Sequence, residues 1–412
     1  MKGIPLAQFI TSEIVVAYRQ CRRKAFLLIR GDSGAPQHEY DEIVARRSAA
    51  RHVAYLTASG QSRVHSSARD TLSVGCLNAN SSGLILFQQG DPRSRHYELE
   101  LVVGTCTRAS EDKTRLAFAG FLLGPAQGSR PDTGTLITPS GERWKVPLIP
   151  LYRSVAETVE DLRSWLDSPP NEPPPVILNE HCPTCPFRLE CTKKAEESDD
   201  LSLLDRMTPR LAERYHKKGI FTIKQLSYLF RPRRRRRGRA PTPTFNVELQ
   251  ALAIRTGKVY LQEKPEVPRQ PIELFLDIEG DPDRSLYYLF GLYIVEDRRT
   301  RYFDFWADSA DEEGHALRQL CNQIAEYPEV PIFHYGGYEA KAFRVLSLRH
   351  GVDLQSLIRR LSNVNSQVFG KVYYPVRSNG LKGQVSATQG HLSASILRSV
   401  CSREKLFRGK DC

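Results

Sequence analysis

The stretch ELFLDIEGDP, residues 273–282, places three carboxylates two positions apart, directly after an apolar run. Asp277 and Glu279 would share one face of a strand, because side chains two residues apart on a strand point the same way. Two crowded carboxylates repel each other unless a cation lies between them, and Mg²⁺ or Mn²⁺ suits such oxygen ligands. The alternative is a pair of surface-loop acids, but the preceding Leu-Phe-Leu indicates burial, where unpaired charge is costly. The segment therefore predicts a divalent-metal site, with Asp281 as a weaker candidate in the following loop.

A second group of chemically active residues is the segment HCPTCPFRLEC, which supplies Cys182, Cys185 and Cys191 with the spacing C-x₂-C-x₅-C. Thiolates this close are typical of Zn²⁺ or an iron–sulfur cluster, and both usually need four ligands. The fourth ligand could be Cys21, far upstream, or His181 beside the cluster. Three of the nine cysteines fall within ten residues, which in a cytoplasmic chain favours metal binding over disulfides.

The charge of the chain is concentrated in one place. Lys and Arg total 59 against 47 acids, a formal net charge of +12. Seven arginines occur in RPRRRRRGR without an acid: Arg231, Arg233, Arg234, Arg235, Arg236, Arg237 and Arg239. Such a run predicts contact with a polyanion, nucleic acid above all, and the alternative is a solvated linker. No segment approaches the ~18 apolar residues of a membrane span, and the N-terminus is unlike a signal peptide, so we expect a cytoplasmic protein without membrane contact.

The elements that must position these residues follow from apolar periodicity. Residues 1–200 are predicted to be mixed α/β. Helices are predicted at 14–28 (capped by Ser12), at 38–56, from 115 to Gly124-Pro125 or a little past it, and at 155–168, with strands at 83–90 and 97–105 and a hairpin around Ser140-Gly141. Residues 201–230 predict two or three short helices, with Gly219 ending one and Thr222 capping the next. That pattern is similar to a helix-hairpin-helix element, and an ordinary helical hairpin is the alternative.

Beyond an Arg-rich linker, the last part of the chain predicts three consecutive strands, then a helix, a strand and a helix. The strands are predicted at 272–280, 286–295 and 301–308, the helices at 312–327 and 338–351, and the fourth strand at 330–336. This order is typical of a ribonuclease H-like domain. In IFHYGGYEAKAF the fourth strand ends at His334 and Tyr335, two glycines turn the chain, and Glu339 opens the second helix.

Several separate motifs carry a resemblance to a known family: HCPTCPFRLEC, DDLSLL, GIFTIKQLSYLFRPRRRR, FLDIEGDP, HYGGYE and YPVRSNGLK. Over residues 1 to about 382 the chain resembles RecB-like nucleases that carry a C-terminal YprB-type ribonuclease H-like domain. The resemblance implies an α/β protein made of a RecB-type, PD-(D/E)XK-like domain (1–200), a helical element (201–230), an Arg-rich linker (231–270), an incomplete ribonuclease H-like exonuclease domain (271–382) and a divergent tail (383–412). It also implies a 4Fe–4S cluster on Cys21, Cys182, Cys185 and Cys191 that staples the ends of the first domain, with zinc as the alternative.

The resemblance further implies an exonuclease site of the DEDD kind, in which four acids hold two metal ions. Asp277 and Glu279 match the first two ligands, and Glu339 matches the acid at the helix start. His334 and Tyr338 could touch the substrate strand, or they could be satisfied core side chains, the alternative that we slightly favour. The fourth acid is expected on a later helix, but the tail offers only Glu404 and Asp411. We therefore expect a truncated or frame-shifted C-terminus and an incomplete site.

The first domain lacks the matching catalytic pattern. A RecB-type site needs an Asp and a strand-borne Glu-x-Lys, and Asp91, Glu98 and Glu100 have no lysine at the needed spacing. Glu111-Asp112-Lys113 has the Glu-x-Lys order, but it follows Ser110 in the first turn of a helix. Acidic side chains at that position stabilise the helix N-terminus. We therefore expect this domain to be a DNA-holding scaffold rather than a catalyst.

The expected function of the whole chain is metal-dependent 3′-to-5′ hydrolysis of nucleic acid, DNA in the first place, with Mg²⁺ or Mn²⁺. A non-catalytic iron–sulfur nucleic-acid-binding module is the alternative, which the absent fourth acid favours. A weaker third option is a transposon- or CRISPR-associated accessory factor.

Overall fold

The computed structural model describes most of the chain. The described segments are 9–36, 38–60, 72–79, 84–88, 97–106, 110–232, 245–266, 270–297 and 299–377. Contacts divide the chain into two units: residues 1–194 with 282–284, and residues 195–281 with 285–412.

The N-terminal unit combines helices with two small sheets. Its strands are β1 (Ile10–Thr11), β2 (Ser73–Val74), β3 (Leu77–Asn78), β4 (Leu84–Gln88), β5 (Tyr97–Val102), β6 (Thr133–Ile137) and β7 (Arg143–Pro147). Its helices are α1 (Ser12–Gln20), α2 (Arg22–Ile29), α3 (Glu39–Gly60), α4 (Ser110–Gln127) and α5 (Ile149–Asp167), and α6 (Arg188–Glu197) runs across the boundary between the units. The sheets have the orders β1-β3-β2 and β4-β5-β6-β7, with β5 parallel to β6. The helices, strands and hairpin predicted after residue 37 are confirmed within the described residues, and Gly141 turns the hairpin at φ +86.

The single helix predicted over residues 14–28 is wrong in two details. Thr11, not Ser12, caps it, because the Thr11 side chain accepts a hydrogen bond from the backbone N–H of Ile14. The helix also breaks at Cys21, whose backbone is extended at φ −161 and ψ 112. A side-chain amide from a distant segment causes the difference: Asn179 donates to the carbonyl of Gln20 at 3.1 Å, which takes the place of a helical partner.

The C-terminal unit begins with short helices. After a 3₁₀ turn at Leu201–Leu203 come α7 (Pro209–His216), α8 (Ile223–Ser227), α9 (Val247–Thr256) and strand β8 (Tyr260–Leu261). The predicted turn is confirmed, since Gly219 adopts φ +75 after α7 and Thr222 caps α8 in a capping box with Gln225. Helix α9 lies where we predicted only linker: Asn246 caps it and Gly257 ends it at φ +65. Apolar residues on one side of this short helix, including Val247 and Ala251, pack against the preceding helices.

The remainder of the C-terminal unit is built largely on one five-stranded mixed sheet, while its last strand pairs with β8 in a separate two-stranded sheet. The elements are β9 (Ile272–Asp281), β10 (Leu286–Glu296), β11 (Arg299–Trp306), α10 (Ala310–Ala325), β12 (Ile332–His334), α11 (Tyr338–His350), α12 (Gln355–Arg360), β13 (Leu361–Asn363), α13 (Val364–Val368) and β14 (Val372–Tyr373). The sheet order is β11-β10-β9-β12-β13, in which β9, β10 and β11 are antiparallel and β12 and β13 run parallel to β9. The predicted succession of strands and helices is therefore confirmed, and β9 occupies the centre.

Alternate residues of β9 bury one face of this sheet. Leu274, Leu276 and Ile278 pack with the β10 residues that lie on the same face of the sheet and with the apolar sides of α10 and α11. Asp277 and Glu279 therefore point to the opposite face. The helices cover the apolar face, and this leaves the carboxylate face of β9 available for chemistry.

The packing of α11 against β9 predicts a specific loss of stability. Phe343 is fully buried in this core, so we expect Phe343→Ala to cost about 3–5 kcal/mol in the unfolding of the C-terminal unit. Leu348 on the same helix is 88% exposed, and Leu348→Ala should change stability by less than about 0.5 kcal/mol. Urea denaturation followed by circular dichroism measures both. Equal shifts of the two midpoints would show that α11 does not pack as described.

Candidate active site and cysteine pocket

The predicted carboxylates lie at the end of the central strand, on the face turned away from the core. Asp277 is half-buried and Glu279 is exposed. Both are less buried than the Leu-Phe-Leu run suggested, because burial on this face ends at Phe275, whose ring packs against Phe333 and Tyr293. Asp281 is the last residue of β9 rather than part of the following loop, which corrects our expectation. Two carboxylates thus share an open face, as a cation site requires.

The predicted third ligand, Glu339, is engaged with a neighbouring histidine. Glu339 is 4% exposed in the first turn of α11, where the helix dipole favours a carboxylate, and its Oε2 lies 3.1 Å from Nδ1 of His334. His334, at the end of β12, is itself only 6% exposed. This placement agrees with the core role that we favoured for His334, since its buried imidazole contacts the Glu339 carboxylate. Within the described residues, no three His, Cys, Asp or Glu side chains are grouped to hold one metal ion.

Tyr338 lies beside the carboxylate strand and remains accessible. It is 41% exposed, and its hydroxyl group lies over Gly280, where a Cβ atom would approach the Tyr338 oxygen to 2.5 Å. Any side chain at position 280 would therefore displace Tyr338. Burial, followed by the neighbouring Tyr287 and Glu279, raises the pKa of Tyr338 to about 12, so its hydroxyl stays protonated as a hydrogen-bond donor.

Two further aromatic residues flank the carboxylates, and our sequence analysis did not single them out. Tyr288 and Trp306 stack with ring centroids 6.2 Å apart at an interplanar angle of 27°. Burial, and then the charges of Glu279, Asp281 and Asp277, raise the pKa of Tyr288. The Tyr-Tyr pair at 287–288 was visible in the sequence, but its bulge was not.

A buried ion-pair network holds the turn between β9 and β10. Glu313, at the start of α10, is fully buried and accepts hydrogen bonds from the Arg349 guanidinium at 2.7 Å and from the backbone N–H of Tyr287 at 2.7 Å. His350 Nε2 lies 2.6 Å from the same carboxylate. Arg349 also donates to the carbonyl of Ser285, a residue held at φ +55. The network therefore ties the site's turn to both helices of the core.

The four predicted cysteine ligands come together although 170 residues separate the first from the last. One pocket is lined by Cys21, Cys182, Cys185 and Cys191, together with His181 and Asn179. Burial raises the pKa of the thiols of Cys182, Cys185 and Cys191, and the charge of Cys21 adds to each shift. The break between α1 and α2 presents Cys21 to this pocket. The alternative ligand His181 also lies within 3.7 Å of Glu111.

Two of the acids considered for a RecB-type site, Glu100 and Asp112, are engaged in structural contacts. Glu100 is 1% exposed on β5, where it accepts a hydrogen bond from the Tyr55 hydroxyl at 2.6 Å and pairs with Arg143. Asp112 pairs with Arg115 at 2.9 Å in the first turn of α4, in agreement with a helix-start role. Glu98 is exposed on β5, and Asp91 lies outside the described residues.

Of the arginine run, Arg231 lies within the residues that the structure describes. Arg231 is exposed and donates to the carbonyl of Tyr228 at 3.0 Å. The other arginines of the run, Arg233 to Arg239, lie outside the described residues, as do Glu404 and Asp411.

Part of the C-terminal unit matches a known family. A family model of the RNase H superfamily matches residues 274–389, a range that contains Asp277, Glu279 and Glu339. No curated protein matches the chain. Within the part of the chain that the structure describes, no helix is long and apolar enough to cross a membrane. The match and the strand order support a ribonuclease H-like domain and, at the level of the superfamily, a nuclease-type function on nucleic acid.

The Glu313 network generates a prediction on stability. Arg349→Met leaves the buried Glu313 carboxylate short of its strongest partner, and we expect a cost of about 2 kcal/mol or more, since Arg349 is itself partly exposed. Arg344 is exposed on the same helix, so Arg344→Met is the matched control and should cost less than about 0.5 kcal/mol. Chemical denaturation compares the two variants. A neutral Arg349→Met would mean that the turn does not depend on this ion pair.

Proposed function

We propose that this chain is a metal-dependent nuclease of the 3′-to-5′ exonuclease type that acts on DNA. The observation that carries the proposal is the pair Asp277 and Glu279 on the open face of the central strand, inside the region that matches the RNase H superfamily. The sequence resemblance to RecB-like nucleases with a YprB-type domain supports the direction of cleavage.

The side chains at this site fit a hard divalent cation. Asp277 and Glu279 offer carboxylate oxygens on one accessible face, the donor set that Mg²⁺ and Mn²⁺ prefer. Such an ion supplies an activated water and charge stabilisation for phosphodiester hydrolysis. His334 holds the Glu339 carboxylate in a fixed orientation, and a ligand role for Glu339 requires it to turn from His334 toward the other two acids.

We further propose that the cysteine pocket holds a 4Fe–4S cluster rather than zinc, within a RecB-like N-terminal domain. Four cysteines line the pocket, and four thiolates are the ligand number of a 4Fe–4S cluster. The sequence resemblance to RecB-like nucleases supports the cluster over zinc, which four thiolates would also bind. Residues from both ends of the N-terminal unit meet at this pocket, which suits a structural staple.

A non-catalytic nucleic-acid-binding module is the second candidate. One observation favours it: Glu339, the predicted third ligand, is bound to His334 in the structure. In that case the arginine run and the sheet face would bind nucleic acid without cutting it.

Cleavage of a labelled strand tests the catalytic proposal. The full chain with Mn²⁺ should shorten a 5′-labelled single strand from its 3′ end. Asp277→Asn should slow this cleavage on the order of 100-fold or more, because the loss of a direct metal ligand should reduce activity at least as much as the loss of an outer-shell residue does. The control variant Glu296→Gln also removes one negative charge, at the last residue of β10, and should leave the cleavage rate unchanged. DNA binding without cleavage in any divalent metal would establish the second candidate instead.

Metal analysis tests the cysteine proposal. Protein purified without oxygen should contain iron and acid-labile sulfide, and Cys182→Ser should lose most of both together with thermal stability. Cys321, in the C-terminal unit, lies among apolar side chains, so Cys321→Ser is the control and should keep the iron. Stoichiometric zinc without iron would contradict the cluster.

A further inference from the structure

The aromatic pair formed by Tyr288 and Trp306, which we call the Tyr-Trp platform, has no role in the cleavage chemistry described above. Trp306, at the end of β11, is 52% exposed, and the indole stacks on Tyr288. A large aromatic ring presented to solvent on an outer strand contributes little to folding, and such rings are typical of binding surfaces.

The strand register places Trp306 on the same face of the sheet as the carboxylates. Leu289 pairs with Glu279 on one side and with Trp306 on the other. Residues directly opposite one another in antiparallel strands share a face, so Glu279 and Trp306 point the same way, two strands or roughly 10 Å apart. In the same manner, Gly291 separates Asp277 from Asp304 and leaves the space between these strands free of a side chain.

The backbone fixes the second ring of the platform. The β9–β10 register shifts between Tyr287 and Leu289, so Tyr288 lies in a bulge, which re-aims a side chain out of the regular alternation. The carbonyl of Tyr288 accepts a hydrogen bond from Ala307 at 2.9 Å, and the buried Glu313 holds the preceding amide. The backbone on both sides of the Tyr288 ring is therefore held in place, on the strand that pairs with the carboxylate strand, before any ligand arrives.

We propose that the Tyr-Trp platform stacks an unpaired base at the end of a single-stranded nucleic acid whose phosphate lies at Asp277 and Glu279. This inference rests on the proposed function and names its substrate class. An aromatic surface recognises any base through its π-face, whereas the bases inside a duplex are already stacked and present no free face. Trp306 lies two strands from Glu279, and this distance suits a base attached to a phosphate that is bound at the carboxylates. The platform thus selects a free strand end and tolerates every sequence.

A fluorescent base at the strand end tests this inference without cleavage. Single strands carrying 2-aminopurine at the 3′-terminal position are titrated with the full chain in EDTA, and stacking on the platform should change the 2-aminopurine emission. Trp306→Ala should remove this change and weaken terminal-base binding roughly 5- to 150-fold, and Trp306→Phe should restore much of it. A fully paired blunt duplex should give little signal.

Tyr302→Ala is the matched control, since Tyr302 is a partly exposed aromatic residue on the same strand and face but four residues from Trp306. It should change binding less than twofold. If Trp306→Ala leaves both emission and affinity unchanged while Asp277 still governs cleavage, the stacking inference is wrong and the proposed function stands. If stacking is observed but no metal supports cleavage, the platform stands and the nuclease proposal fails.

Discussion

The strict alternation of strand β9 is the constraint on which the account of the C-terminal unit depends. One face of this strand buries Leu274, Leu276 and Ile278 under two helices, and the opposite face presents Asp277 and Glu279. A shift of one residue in register would bury the carboxylates and expose the leucines, at a cost that no local contact could offset. The hydrophobic core therefore specifies the direction of the acidic side chains.

The surrounding contacts convert this alternation into a fixed site. Glu313 ties the β9–β10 turn to both core helices, and His334 fixes the orientation of Glu339. Gly280 admits the Tyr338 hydroxyl against the strand. These supports are buried or short-range, while the groups that would meet a substrate remain accessible. This division between a rigid base and an open surface is what a hydrolytic site on a polymer needs.

Much of the C-terminal fold was predictable because its signals are local. Apolar alternation and helix-start signals predicted the order of the elements from β9 to α11. The D-x-E spacing predicted Asp277 and Glu279 as candidate metal ligands from the sequence alone. Features set by distant residues were not predictable. The break at Cys21 depends on an amide from Asn179, and the stacking of Tyr288 on Trp306 depends on a bulge. The cysteine spacing predicted a metal site, but only the fold brings Cys21 to the other three.

The central claim is that the carboxylate face of β9 binds a divalent cation. Isothermal titration calorimetry with Mn²⁺ measures this directly, without a substrate or an assumption about the reaction. The account predicts saturable Mn²⁺ binding to the metal-free protein that the double variant Asp277→Asn/Glu279→Gln abolishes, while the variant keeps its fold. No uptake of Mn²⁺, or uptake that the double variant retains, would contradict it.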